Sequence, residues 1–148
     1  MKKESMGTDC NFLNVKLVHM GAGRALTQAE GAPMFQVRQP DPEGDGSART
    51  MAAALSCAGL SPADIGYLNL HGTATPQNDT AEARGVAKVF GTAVAAGSTK
   101  GYTGHTLGAA AAIEAVISLI ALRDERLPPN LNLVHRDPDV AIDLLEAV

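Results

Sequence analysis

The pattern of apolar and polar positions along the chain predicts strands that alternate with helices. Four short apolar runs are typical of buried strands, at Val15–Met20, Ile65–Leu70, Ala93–Ala96 and Val140–Leu145. A predicted helix separates each run from the next. This alternation predicts an α/β fold with a mixed, mostly parallel sheet whose connections are right-handed crossovers.

Two of the predicted helices are amphipathic. The first follows a loop rich in proline and acids, has Ser47 as its predicted N-cap and ends at Gly59. The second begins with the capping pattern of Asp79 and Glu82, and Gly91 ends it. Their apolar faces repeat at helical spacing: Met51, Leu55 and Ala58 in the first, and Ala83, Val86, Ala87 and Phe90 in the second.

A third helix is predicted over Leu107–Leu122, and it is apolar on every side. Only Glu114 and Ser118 interrupt the apolar run, so no polar face exists at a period of 3.6 residues. Such a helix is predicted to be buried in the protein, and it is too short for a membrane span. A carboxylate in these surroundings needs a cation or a proton, and Lys100 is the nearest candidate.

Polar side chains follow two successive predicted strands. His71 comes directly after the strand Ile65–Leu70, and Lys100 and His105 follow the next strand in a loop with two glycines. Carboxyl ends of parallel strands meet at one sheet edge, where open α/β sheets place their chemistry. A cation and an imidazole ahead of a helix N-terminus suit stabilisation of an oxyanion or a carboxylate. Taken alone, the pattern is better explained by a structural loop histidine and a solvated lysine.

Composition and charge limit the classes of function. At 148 residues the chain is one domain's worth, and its net charge of −4 argues against a nucleic-acid surface. Cys10 and Cys57 form no Cys-x-x-Cys motif and fit a reducing cytoplasm, where Cys57 is predicted to be a small buried residue. The first residues lack the apolar stretch of a signal peptide. We therefore expect a cytoplasmic protein that does not enter the membrane.

Two cofactor sites can be rejected on spacing. Gly21–Gly23 follows a predicted strand, but Leu26 stands where a dinucleotide fingerprint has its third glycine. His71 and His105 lack both a His-Glu-x-x-His spacing and an evident third metal ligand. We expect neither a bound nucleotide nor a metal.

Two motifs together resemble a known family. The first reads His-Gly-Thr-Ala-Thr at 71–75 with Asn-Asp at 78–79, and the second reads Ser-Thr-Lys at 98–100 with Gly-His at 104–105. With Glu114 in the following helix, they resemble the two-histidine type of β-ketoacyl-acyl-carrier-protein synthase. The resemblance covers roughly Gly44 to Val140, and the wording at 69–75 is also similar to synthases of aryl-polyene or polyketide type.

The resemblance implies a fold and partners. The family has the thiolase fold, which consists of two similar halves, and this chain resembles the C-terminal half only. We expect residues 1–148 to be that one domain, with about 1–14 irregular. The implied partners are the N-terminal synthase half, an acyl carrier protein and a second subunit in a homodimer or heterodimer.

The resemblance also implies roles for particular residues. His71 and His105 would hydrogen-bond the thioester oxygen of malonyl-carrier protein, promote its decarboxylation and stabilise the resulting enolate. Lys100, paired with Glu114, would hold His105 and the local charge in place; the nearby carboxylate disfavours Lys100 as a general base.

Thr73 and Thr75 would hydrogen-bond the phosphopantetheine arm that arrives on the carrier protein, so no other cofactor is implied.

The chain departs from the family in one important respect. The family's nucleophilic cysteine lies in the N-terminal half, and Cys10 is a poor substitute because it follows no strand and precedes no helix. We therefore expect this chain alone to be inactive. A non-catalytic partner related to chain-length-factor subunits is the main alternative, although it has no need of both histidines and Lys100. A thiolase-type acyltransferase is a further alternative, but it needs a second catalytic cysteine and this chain has none in a fitting loop.

Overall fold

A computed structural model describes residues 41–146 of the chain. The predicted strand at 15–20, the glycines at 21–23, Cys10 and the predicted irregular start all lie outside the described residues. The elements run, in chain order, α1 (Asp45–Ala58), β1 (Tyr67–Asn69), α2 (Pro76–Phe90), β2 (Ala95–Gly97), α3 (Lys100–Thr103) and α4 (Ala110–Asp124). Short 3₁₀ turns occur at Pro62–Asp64 and Leu107–Ala109.

The sheet is parallel, and its strands are shorter than the apolar runs that predicted them. β1 pairs with β2 in the register Leu68 opposite Ala96. The strand predicted at 140–145 joins β2 through one parallel bridge between Ala96 and Leu144, with the Leu145 N–H donating to the Ala96 carbonyl at 2.9 Å. Ile65 stays outside β1 because its N–H closes the preceding 3₁₀ turn. Parallel pairing brings the carboxyl ends of β1 and β2 to one edge.

Helix α1 ends as predicted but begins three residues earlier. Gly44, in the left-handed region at φ +72°, is the N-cap, and the predicted cap Ser47 lies inside the first turn, where its hydroxyl donates to the Gly44 carbonyl. Gly59 ends the helix at φ +65°. The prediction for Cys57 was wrong: its free thiol is exposed, because Met51 and Leu55 occupy the buried face of the helix.

Helix α2 packs closely against α1 and completes the apolar core. A Cβ atom at Gly85 would lie 2.8 Å from the Gly44 carbonyl oxygen and still closer to the Ser47 hydroxyl, so glycine permits the approach. Gly91 ends α2 as predicted. The buried core consists of Met51, Leu55, Ile65, Leu68, Leu70, Ala83, Val86, Ala96 and Ile142.

The predicted start of α2 was wrong. The helix begins at Pro76 after the N-cap Thr75, three residues before Asp79, the predicted capping residue. Asp79 lies within the first turn, where a negative charge suits the helix dipole. Glu82 is not part of a cap at all, because its carboxylate is buried beneath the loop that follows β1.

Helix α4 is buried on one face only, which corrects the prediction of a helix buried on every side. The face that it buries within the described residues consists of Ala110, Glu114, Ser118 and Ala121. Val116 and Leu119 are 55% and 59% exposed, and other apolar side chains of the helix are exposed beside them. In the part of the chain that the structure describes, much of the apolar surface of this helix is therefore exposed. Among the described residues, no helix has the length and apolar character needed to cross a bilayer.

Candidate active site

The loop after β1 carries His71 at the carboxyl edge of the sheet. Leu70 continues the pairing, since its N–H donates to the Gly97 carbonyl at 2.7 Å. The next two N–H groups, of His71 and Gly72, donate to the two carboxylate oxygens of Glu82 at 2.7 and 2.9 Å. The Glu82 carboxylate of α2 therefore stabilises the turn of the chain at His71.

Glu82 is a residue of the site that the sequence did not reveal. Burial raises the pKa of its carboxyl group, while the backbone N–H groups of Gly72 and His71 and the charge of Lys100 act in the opposite direction. Its sequence signal is ambiguous, because an acid three residues after Asp79 also fits the spacing of a capping box.

The imidazoles of His71 and His105 lie together, as the strand order predicted. Their ring centroids are 5.2 Å apart, and the rings meet edge to face at 88°. His71 is half-buried and His105 is exposed, so the pair opens to the surface of the described residues. Two imidazoles at one sheet edge offer hydrogen-bond donors to a single small group.

The protonation of neutral His105 is fixed by its own loop. The Leu107 N–H donates to His105 Nδ1 at 3.2 Å, so Nδ1 serves as an acceptor. The ring proton of the neutral imidazole therefore lies on Nε2, which is left as a hydrogen-bond donor. Leu107 adopts a positive φ of +51° in this turn. The loop thus presents the Nε2–H of His105 as a donor five residues before α4 begins.

A buried ion pair lies behind the histidines. Lys100 Nζ bonds Glu114 Oε1, and the two side chains are 6% and 3% exposed. Lys100 is the first residue of the short helix α3, where a loop was predicted. The predicted partnership of the lysine with Glu114 is therefore confirmed. Burial and the charge of Glu114 together raise the pKa of the Tyr67 phenol above its usual value.

Side chains next to this pair fix the rotation of α4. Asn69 Nδ2 donates to the Glu114 carbonyl at 3.3 Å and to Ser118 Oγ at 3.2 Å. Ser118 Oγ also donates to the Glu114 carbonyl at 2.8 Å. Glu114 and Ser118 consequently face the end of β1.

Two threonine hydroxyls lie on the loop beyond His71. Thr73 Oγ1 and Thr75 Oγ1 are 3.0 Å apart, on either side of Ala74, which has a positive φ of +60°. Their hydroxyls can each donate and accept, so they can bind an amide or a hydroxyl group. In the described part of the chain, no group of three or more histidine, cysteine, aspartate or glutamate residues is arranged to hold a metal ion.

Two solved ketosynthase structures resemble this chain in fold. The ketosynthase from Burkholderia phymatum superimposes with a TM-score of 0.71 at 36% identity, over 75% of this chain and 28% of that protein. A ketosynthase from Xenorhabdus doucetiae, solved with its chain length factor, gives a TM-score of 0.64 at 42% identity, over 72% of this chain and 27% of that one. These neighbours confirm the α/β, thiolase-like fold.

The family is defined by sequence. The family described as "Beta-ketoacyl synthase, C-terminal domain" matches residues 24–134, and the chain belongs to it. The match begins earlier than the expected Gly44 and ends before Val140. The 3-oxoacyl-[acyl-carrier-protein] synthase 2 of Staphylococcus aureus is 40% identical over 114 residues, which are 75% of this chain and 28% of that protein. The chain thus spans under a third of that relative's length.

Proposed function

We propose that this chain is the C-terminal half of a decarboxylating β-ketoacyl-acyl-carrier-protein synthase and provides the histidine and lysine part of its active site. The observation that carries the proposal is the edge-to-face pair of His71 and His105 next to the buried Lys100–Glu114 pair. The family and the relatives support an acyltransferase of ketosynthase type.

The proposed chemistry uses the two imidazoles as hydrogen-bond donors. A malonyl thioester binds with its carbonyl oxygen near His71 and His105, and the Nε2–H of His105 donates to that oxygen. The bond to the malonyl carboxylate then breaks, CO₂ leaves, and the electron pair forms an enolate whose negative oxygen the donors stabilise. The enolate carbon attacks an acyl thioester on a cysteine of the N-terminal half, and the cysteine thiolate leaves.

Lys100 and Glu114 have a supporting role in this proposal. Their pairing lets each of the two buried charges compensate the other. Lys100 begins α3, which leads directly to His105, so the ion pair holds the loop that carries that imidazole.

The phosphopantetheine arm is proposed to bind along the loop after His71. Thr73 and Thr75 would hydrogen-bond its amides, and the carrier protein would bring the arm into the site. No other cofactor is part of the proposal.

The exposed apolar surface of α4 supports an N-terminal synthase half as partner. Ala112, Ile113, Val116 and Ile117 line a shallow apolar depression on the helix. Uncovered apolar surface of this kind marks an interface, and the Staphylococcus aureus relative is more than three times as long as the matched region. We propose that the remaining synthase sequence covers α4, that the complete protein is a homodimer or pairs with a chain length factor, and that it works in the cytoplasm.

A non-catalytic subunit related to chain length factors is the second candidate. The Xenorhabdus doucetiae ketosynthase was solved with such a factor, and Cys57 is exposed on α1 rather than at the histidine pair. A subunit of that kind would not decarboxylate malonyl thioesters, which distinguishes the two candidates.

The test requires a complete synthase that carries this chain as its C-terminal segment. His71→Ala and His105→Ala should each slow malonyl decarboxylation by about 10²–10³-fold, the usual effect of one lost oxyanion donor. Acyl loading onto the cysteine should change far less. His135→Ala, at an exposed histidine outside the pair, is the control and should match the unsubstituted enzyme. Equal loss of loading and decarboxylation would contradict the proposal, because the histidines would then support the fold rather than the reaction.

A further inference from the structure

Ser98 connects three segments at the edge of the sheet. It follows β2, and its Oγ donates to the Gly72 carbonyl at 3.0 Å. The same oxygen lies 3.3 Å from the Lys100 N–H, which donates to it. The Ser98 N–H donates to Asn130 Oδ1 at 2.7 Å. A single half-buried residue thus contacts the loop of His71, the start of α3 and the segment after α4.

The approach between Ser98 and Gly72 is unusually close. A Cβ atom at Gly72 would lie 2.5 Å from Ser98 Cβ, and Gly72 has a positive φ of +39°. The two histidine loops are therefore in direct contact at this point. Glu82 accepts hydrogen bonds from the N–H groups of this turn, and the Ser98 hydroxyl donates to its carbonyl group at Gly72.

Asn130 fixes Ser98 in turn. Its Nδ2 and its backbone N–H both bond the Leu145 carbonyl, at 2.9 and 2.8 Å, while its Oδ1 accepts from Ser98. The serine is consequently attached to the segment that bridges β2, and not only to the loops that it joins.

We propose that Ser98 is a positioning residue that sets the separation of the His71 and His105 imidazoles through its hydrogen bonds to Gly72 and Lys100. The inference rests on the proposed function for its effect on the reaction, but the geometry that it concerns is independent of that function. The serine does not touch the reacting atoms. Its hydroxyl joins the turn that follows His71 to the helix that leads to His105, so its loss should let the two rings move apart.

The test uses Ser98→Ala in the complete synthase, with two comparison variants. Ser98→Thr keeps a hydroxyl at the same position. Ser47→Ala removes a half-buried hydroxyl that also donates to a glycine carbonyl, Gly44, at 2.9 Å but lies in α1, away from the histidines. We expect Ser98→Ala to lower the decarboxylation rate constant about tenfold while KM stays within about twofold, since small misplacements of catalytic groups act on the rate. Ser98→Thr should recover most of the rate, and Ser47→Ala should keep it.

A crystal structure of the Ser98→Ala synthase gives a readout that does not depend on activity. The centroids of the two imidazoles should separate beyond the 5.2 Å seen here. Unchanged ring geometry, a rate no lower than that of Ser47→Ala, or a Ser98→Thr variant as slow as Ser98→Ala would each overturn the inference. An unsubstituted enzyme without decarboxylase activity, combined with separated rings in Ser98→Ala, would contradict the proposed function and support the positioning role.

Discussion

Helices α1 and α2 differ from α4 in what they bury. The first two bury apolar side chains such as Met51 and Val86 against the sheet and expose most of their polar ones. Helix α4 does the reverse, since it buries Glu114 and Ser118 and leaves side chains such as Leu119 exposed.

The difference shows two ways of fixing a helix. Burial of an apolar face orients α1 and α2, because only one rotation of each helix removes that face from water. Helix α4 has apolar residues on every side, so burial alone does not distinguish one rotation from another. The bonds that Lys100 donates to Glu114 and that Asn69 donates to Ser118 select one rotation of the helix instead. Within the described residues, α1 and α2 therefore pack into the apolar core, while polar bonds orient α4 and part of its apolar surface is exposed.

The largest expected effect comes from separating the charges beneath α4. Lys100→Met leaves the buried Glu114 carboxylate without the lysine, and Glu114→Gln leaves the buried Lys100 ammonium without the carboxylate. Each variant should lower the free energy of unfolding by about 3–5 kcal/mol. The double variant removes both charges and should recover part of that loss. Denaturant unfolding of the complete synthase with matched single and double variants measures this coupling. Strictly additive losses would mean that the pair does not orient α4.

A second test asks whether the apolar surface of α4 is covered in the complete protein. Leu119→Ala should change the stability of the isolated chain by only about 0.5 kcal/mol, because the side chain is already exposed. In the complete synthase the same change should cost about 2–5 kcal/mol, the usual range for a leucine in a core. Thermal or denaturant unfolding of both proteins gives the two values. Equal effects in the two proteins would show that this side of α4 stays in water.

The close packing of α1 on α2 can be tested with a pair of glycines. Gly85→Ala should destabilise the chain by about 1–3 kcal/mol, since the added methyl overlaps Ser47 and the Gly44 carbonyl. Gly46→Ala adds the same methyl to α1, where no atom lies within 4 Å, and should stabilise by about 0.5–1 kcal/mol. The same sign for both variants in denaturant unfolding would contradict the contrast between a tight and an open position.

The smallest effect concerns Glu82, the buried acid of α2. Its pKa is raised in the folded chain, so its contribution to stability is present below the unfolded value of 4.5 and is lost as the pH rises through the folded pKa. Relative to a Glu82→Gln variant, the unsubstituted chain should lose stability as the pH increases from about 4 to 7. Unfolding curves across that range measure the difference, and Asp139→Asn, at an exposed acid outside α2, is the control. A difference that grows in the opposite direction would show that the two N–H donors outweigh burial.

Much of this fold could be predicted because local chemistry decides it. Gly59 and Gly91 end their helices at positive φ, which glycine adopts more easily than any other residue. His71 and His105 meet because parallel strands end at a common edge. The partnership of Lys100 and Glu114 follows from the cost of burying either charge alone.

Other features depended on neighbours that the sequence does not display. Glu82 has the spacing of a capping residue, and only its burial beneath the His71 turn shows its actual use. Cys57 is apolar enough for a core but lies on the wrong side of α1. Ser98 resembles any loop serine until the approach to Gly72 is seen. The exposure of α4 was not predicted, because the hydrophobicity of a helix indicates that it favours burial but does not show which part of the protein covers it.

The left-handed backbone at Ala74 limits which residues that position tolerates. At φ +60°, asparagine, aspartate and glycine fit with less strain than alanine, whereas valine, isoleucine and threonine clash with their own main chain. The side chain is exposed, so packing places no further restriction on its size. In a saturation library, position 74 should therefore accept or reject residues according to branching at Cβ rather than polarity or bulk.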